Sequence, residues 1–160
     1  MREDSTVSTR AKTTDLALYP YQRKAVSFLK ERNGLAGLFC EMGTGKTPIT
    51  LEYLRQVNSL RVLVICPLSV AGVWEREVKK WRMPFDVTLL DSGTIAERAR
   101  FHNDLADLVA IISGKTRVAE LVVVNYEASW REPLRKALVR YAPDAVVLDE
   151  AHRIKGRSTR

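Results

Sequence analysis

This sequence predicts an α/β fold built on a parallel sheet, and three observations carry that prediction. Short apolar runs alternate along the chain with amphipathic runs of helical period, the order expected when each strand is followed by a helix crossing over the sheet. The run Val62-Leu63-Val64-Ile65 is apolar without alternation, which suits a parallel strand covered on both faces. The polar stretches that could carry chemistry fall directly after apolar runs, at the carboxyl ends of strands, where an open parallel sheet binds its ligand.

Size and composition set the limits. A chain of 160 residues with 46% hydrophobic content is about one domain with a real core, which excludes a disordered polypeptide. The net charge of +7 favours an anionic partner, nucleic acid being the commonest, although charge alone does not decide it. Cys40 and Cys66 each follow an apolar run and form no metal-ligand spacing, so both are expected as free, mostly buried thiols in a reducing cytoplasm. The polar, Ser/Thr-rich start has no apolar leader core, and no uncharged stretch could cross a bilayer. No membrane partner is expected.

In chain order, residues 1–17 read as a disordered polar tail and 18–160 as one domain. A helix follows Leu18-Tyr19-Pro20-Tyr21-Gln22, with Tyr21, Ala25, Phe28 and Leu29 on one face, and Asn33-Gly34 ends it. Leu35 to Phe39 is an apolar strand, and Ile49 to Val57 a helix with Ile49, Tyr53 and Leu54 inward. Arg61 to Cys66 is a strand stopped by Pro67, and Val70, Trp74, Val78 and Trp81 share a face of a helix from Val70 to Arg82. Val87 to Leu90 is a strand and Ile95 to Ile112 a long helix. Leu121 to Val124 is a β-branched strand, Pro133 to Tyr141 a helix, and Ala145 to Leu148 a core strand ending at Asp149-Glu150.

Between the first strand and the following helix lies Glu41-Met42-Gly43-Thr44-Gly45-Lys46-Thr47, a phosphate-binding loop candidate. Gly43 and Gly45 let main-chain amides turn toward an anion, and the helix that follows contributes unpaired N–H groups and a positive dipole end. Lys46 would place its charge on the β- and γ-phosphates and Thr47 its hydroxyl on Mg²⁺, while Pro48 suits a first helical turn. The usual first glycine of this pattern is Cys40 here. Gly114-Lys115-Thr116 repeats three of the letters, but it follows a long amphipathic run and reads as a helix terminus. Asp149-Glu150-Ala151-His152 supplies the loop's partner. Asp149 can hold Mg²⁺, usually through water, and Glu150 can orient or deprotonate the attacking water. Trp74 and Trp81 read as core packing, and His102 as a solvated helix residue.

These residues resemble superfamily 2 helicases and translocases, and among them the SWI/SNF-like ATPases. Glu41 to Thr47 resembles motif I of that family, in which the first glycine is often replaced. Asp149 to His152, continued by Arg153-Ile154-Lys155, is similar to motif II, the DEAH box. Pro67-Leu68-Ser69 with Trp74, Glu77, Lys80 and Trp81 resembles motif Ia, Asn125-Tyr126-Glu127 motif Ib, and Leu18 to Gln22 the adenine-recognition segment. The resemblance implies the amino-terminal RecA-like lobe of a P-loop ATPase that hydrolyses Mg-ATP to move along nucleic acid. DNA is the expected partner, taken as duplex, with RNA the other candidate, and the setting is the cytoplasm, nucleoid or nucleus, wherever the DNA lies.

By the same resemblance Met42, Gly43, Thr44, Gly45, Lys46 and Thr47 bind the nucleotide and Gln22 reads the adenine edge. Thr47 and Asp149 hold Mg²⁺, Lys46 and Glu150 are catalytic, His152 couples hydrolysis to the bound strand, and Ser69 and Asn125 lie along the nucleic-acid backbone. The resemblance further implies a strand carrying motif III, between the loop strand and the Asp-Glu strand, and a second RecA-like lobe bearing arginines. Neither is in the sequence, so a truncated lobe is expected, with little or no turnover of its own. Two other readings stand beside it: a nucleotide- or partner-binding module without turnover, and an unrelated P-loop phosphotransferase.

Overall fold

The structure, a computed structural model, describes residues 17–100 and 119–154. Its elements in order are α1 (Pro20–Glu31), α2 (Lys46–Gln56), β1 (Arg61–Cys66), a 3₁₀ turn (Leu68–Val70), α3 (Ala71–Lys80), β2 (Phe85–Leu90) and α4 (Ile95–Arg98). There follow β3 (Ala119–Asn125), α5 (Tyr126–Ser129), α6 (Leu134–Tyr141), β4 (Ala145–Leu148) and a second 3₁₀ turn (Ala151–Ile154). The four strands form one parallel sheet in the order β2-β3-β1-β4. The predicted parallel α/β architecture is the one observed.

The unalternating apolar strands are explained by helices on both faces. On β1, Val62, Val64 and Cys66 pack into a layer with Leu51, Leu54, Trp74 and Val78, while Leu63 points the other way, into a layer with Leu134, Leu138 and Tyr141. On β3, Leu121 and Val123 join the first layer and Val122 and Val124 the second. Each residue therefore removes its side chain from water whichever way the pleat turns it. A third, smaller cluster of Val26, Leu29 and Ile49 fixes α1 against α2.

Five readings from sequence change. The buried face of α1 is Gln22, Val26 and Leu29, while Tyr21 and Phe28 are exposed, because α1 packs on α2 along a stripe rotated from the one its largest apolar residues mark. Leu35 to Phe39 forms no strand, and Leu35 and Phe39 stand in solvent. A strand needs a ladder partner; β4 is the edge of the described sheet, this segment is not paired to it, and only Leu38 finds apolar contact, against the α1–α2 cluster. β4 itself is covered on one face only: Ala145 and Val147 face the core, whereas Val146 and Leu148 are exposed. The helix predicted over 95–112 is α4, held at its start by a Thr94–Glu97 capping box and followed by a turn at 99–100. The rest of that stretch, with His102 and Gly114-Lys115-Thr116, lies outside the described residues, as do residues 1–16. Finally, Cys40 is exposed rather than buried, since no strand precedes the loop to enclose it; Cys66 is buried.

Candidate functional site

The loop between α1 and α2 closes on main-chain geometry that only glycine adopts without strain: Gly43 has φ 78° and Gly45 φ 81°. Gly45 is the N-cap of α2 and offers no side-chain oxygen, so the first-turn N–H groups of that helix remain for an anion. Thr44 Oγ1 donates to the Glu41 carbonyl at 2.8 Å. Lys46 Nζ donates to the carbonyls of Cys40 at 3.0 Å and Glu41 at 3.1 Å, so its ammonium already sits inside the turn of the loop. Thr47 is half-buried in the first turn of α2, and Met42 is 90% exposed.

Gln22 belongs to this assembly. It is buried, its Oε1 accepts from the Tyr19 N–H at 2.9 Å, and its Nε2 donates to the Thr44 carbonyl at 3.2 Å. The hydroxyl of Tyr21 donates to the same carbonyl at 3.0 Å. A Cβ built on Gly45 would lie 2.4 Å from Gln22 Nε2, so a side chain there would displace the amide that holds the loop as well as strain the backbone at φ 81°.

The acidic pair leaves the end of β4. The Asp149 N–H donates to the Ile65 carbonyl at 2.9 Å, extending the ladder with β1 by one residue and fixing the main chain where the carboxylate departs. Asp149 Oδ2 accepts from the indole N–H of Trp74 at 3.2 Å, and its carbonyl accepts from the Tyr126 hydroxyl at 2.8 Å. Burial pushes the Asp149 carboxyl above the ordinary value. The Trp74 hydrogen bond opposes this, the neighbouring Glu150 charge adds to it, and the Lys46 charge again lowers it. Glu150 sits in the left-handed region at φ 53°, a conformation uncommon outside glycine and concentrated where function holds a backbone. Its Oε2 lies 3.1 Å from Nδ1 of the exposed His152.

Of the two residues predicted along a nucleic-acid backbone, Ser69 is exposed in the turn after β1. Asn125 ends β3 but is buried, with Oδ1 accepting from Arg98 at 3.2 Å and Nδ2 donating to Glu127 at 2.9 Å. Arg98 also donates to the carbonyls of Asp91, Ser92 and Gly93, so one guanidinium laces the turn after β2 to the end of β3.

Sequence reasoning missed Arg98, and it gave Trp74 and Tyr126 no part at Asp149. For Trp74 the helical stripe gave the burial correctly and concealed the indole N–H, a donor that a buried tryptophan must place somewhere. That requirement was the available signal.

The donor set suits magnesium bound together with phosphate. Among the described residues no three His, Cys, Asp or Glu side chains converge on a metal cage. Mg²⁺ is characteristically held by one or two protein oxygens plus substrate phosphates and water. The Thr47 hydroxyl and Asp149 carboxylate are oxygens of that kind, and around Gly43 a Cβ would meet only open space. A groove of about 550 Å³ beside Arg23, Val26, Glu52, Arg55 and Met83 contains none of these residues. Among the described residues no helix is long and apolar enough to cross a membrane.

Comparison with known proteins places these features in a family. Residues 21–160 match the SNF2-related domain. The chain is 33% identical over 156 residues to Protein CHROMATIN REMODELING 19 of Arabidopsis thaliana, covering 89% of this chain and 20% of that protein. It is 34% identical over 150 residues to the ISWI chromatin-remodeling complex ATPase ISW2 of Saccharomyces cerevisiae, covering 89% of this chain and 12% of that one. The fold superposes on the Sulfolobus solfataricus SWI2/SNF2 ATPase core in complex with dsDNA, with a TM-score of 0.58 and 27% identity over 91% of this chain and 28% of that one. This chain thus spans a fifth or less of the two curated relatives' length. With a family match running from α1 to the last residue and a parallel sheet that matches the RecA-like lobe of a SWI2/SNF2 core, the chain belongs to the SNF2-related domain family.

Proposed function

We propose that this chain is the ATP-binding lobe of a DNA-dependent ATPase that hydrolyses Mg-ATP to track along duplex DNA. The observation that carries the reading is that a glycine loop closed around the Lys46 ammonium opens into α2, and an acidic pair leaves the carboxyl end of β4, in a chain that matches the SNF2-related domain. The amides of Gly43, Thr44 and Gly45 and the start of α2 bind the phosphates, with Met42 at the rim and Lys46 supplying the cation. Thr47 and Asp149 would hold Mg²⁺, which supplies charge neutralisation on the β- and γ-phosphate oxygens when bound. Glu150 orients the attacking water and accepts its proton, and His152, against Glu150, passes the state of the site to the nucleic-acid side.

Gln22 stands at the adenine end, where it can meet a base edge while its other contacts keep the loop in place. The turns after β1 and β3, carrying Ser69 and Asn125, face the nucleic acid, and the net charge of +7 favours that partner. The Sulfolobus solfataricus core that shares this fold is in complex with dsDNA, which supports DNA over RNA. A second RecA-like lobe closes over the nucleotide and completes the engine, which works wherever the DNA lies, nucleoid or nucleus.

The test is Mg-ATP turnover with and without duplex DNA, in this chain and in protein extended by a second lobe. DNA-stimulated hydrolysis by the extended protein is expected. Nucleotide binding without turnover in both would favour the binding-module reading, and turnover that needs a small-molecule acceptor and ignores DNA would favour the phosphotransferase.

A further inference from the structure

Besides its ladder bond to β1, Asp149 is held from two further directions, and neither hold comes from the loop or from β4. The indole of Trp74 reaches Oδ2 from α3, the helix that begins two residues after Ser69. The hydroxyl of Tyr126 reaches the Asp149 carbonyl from the first residue of α5, directly after Asn125. Trp74 is almost fully buried, so its N–H has been placed on the carboxylate rather than left to water. One bond fixes the direction of the side chain and the other fixes the peptide that precedes the left-handed Glu150.

We infer that Trp74 and Tyr126 are positioning residues for Asp149, so that the two segments facing the proposed nucleic acid also set the pose of the carboxylate that takes magnesium. The inference rests on the ATP-binding reading above and adds to it a physical route between its two ligands. A side chain that orients a metal-binding carboxylate by hydrogen bonding typically accounts for about 10–100-fold in metal affinity or activity. Packing alone would change stability without changing the magnesium requirement.

The experiment uses the whole chain and the variants Trp74→Phe and Tyr126→Phe, each of which keeps an aromatic ring and removes the donor. Nucleotide binding is titrated with Mg²⁺ at fixed ATP. About a tenfold rise in half-saturating Mg²⁺ is expected for Trp74→Phe, and a smaller rise in the same direction for Tyr126→Phe, whose hydroxyl reaches the Asp149 carbonyl and not its carboxylate. Tyr126 is only half-buried, so its variant folds even where loss of the larger ring unfolds the other. Unchanged Mg²⁺ dependence in Tyr126→Phe and in a folded Trp74→Phe would overturn the inference. A second readout needs no nucleotide. The indole N–H resonance of Trp74 should move in Asp149→Ala while that of the exposed Trp130 stays, and a stationary Trp74 signal would also overturn it. If the unmodified chain binds no Mg-nucleotide, the functional reading falls, and the indole resonance still decides whether the tether exists.

Discussion

Gln22 Nε2 donates to the carbonyl of Thr44 at 3.2 Å, which ties the first helix to the phosphate loop through a buried amide. Gln22→Ala would leave the Tyr19 N–H without its acceptor and the Thr44 carbonyl with the Tyr21 hydroxyl alone, at a cost of about 1–2 kcal/mol. We predict a lower melting temperature and weaker nucleotide binding together. Gly45→Ala should be worse than Gln22→Ala, since it adds backbone strain at φ 81° to a clash with the same amide. The reverse order in thermal melts would mean that the amide contact, not the backbone, dominates the loop.

Lys46→Ala and Glu150→Gln should separate binding from chemistry. Lys46→Ala removes the cation that sits in the loop and is predicted to weaken Mg-ATP binding and lower DNA-stimulated turnover by about two to three orders of magnitude. Glu150→Gln keeps size and removes the base, so binding should persist while turnover falls by about two orders or more. Equilibrium nucleotide titration beside steady-state hydrolysis in the two-lobed protein checks both.

The Asp149 carboxyl titrates above its ordinary value because it is buried. The folded chain therefore takes up a proton more readily than the unfolded chain in the range just above the ordinary carboxylate value. Stability contributed by this group is present below that range and is lost as pH rises through it. At neutral pH the ionised carboxylate is a cost to folding. Asp149→Asn, which still offers an oxygen to the Trp74 N–H, should raise the melting temperature at neutral pH and abolish hydrolysis. Melting curves in acid should show that advantage shrinking, and an advantage that grows in acid would contradict the assignment.

The two cysteines should differ in reactivity. Cys66 is buried and its thiol is pushed up to about 12, first by burial and then by the Asp149 charge. Cys40 is exposed at the start of the loop that holds Lys46. A disulfide-exchange reagent at neutral pH is predicted to modify Cys40 quickly and Cys66 only after unfolding. Saturating Mg-ATP should slow labelling of Cys40, and labelling rates by mass spectrometry, with Cys40→Ser as control, give the answer.

Local chemistry was enough for most of the secondary structure, for the turn at the glycine loop and for the place where the acidic pair leaves the sheet. An unbroken apolar run such as Val62 to Ile65 has one stable environment, the middle of a covered parallel sheet, and that is where β1 lies. Gly43 and Gly45 mark a turn because glycine takes positive φ without the strain that most side chains bring. Asp149 and Glu150 were legible because two carboxylates after an apolar run must leave the sheet at its carboxyl end.

Pairing was not legible, because a ladder bond depends on what lies alongside and not on the residue itself. Leu35 to Phe39 has the composition of a strand, yet among the described residues it has no ladder partner, and all of it but Leu38 is exposed. β4 looked like a core strand and is the edge of the described sheet, with Val146 and Leu148 in solvent. Donor direction was hidden in the same way. The helical stripe that buries Trp74 says nothing about where its N–H points, and only the packing of α3 against the end of β4 brings it to Asp149. Sequence alone thus determined the chemistry available at the end of the sheet, because it is a property of residue type and near neighbours. Tertiary structure decided which groups hold which, because hydrogen-bond partners are chosen by distance in space.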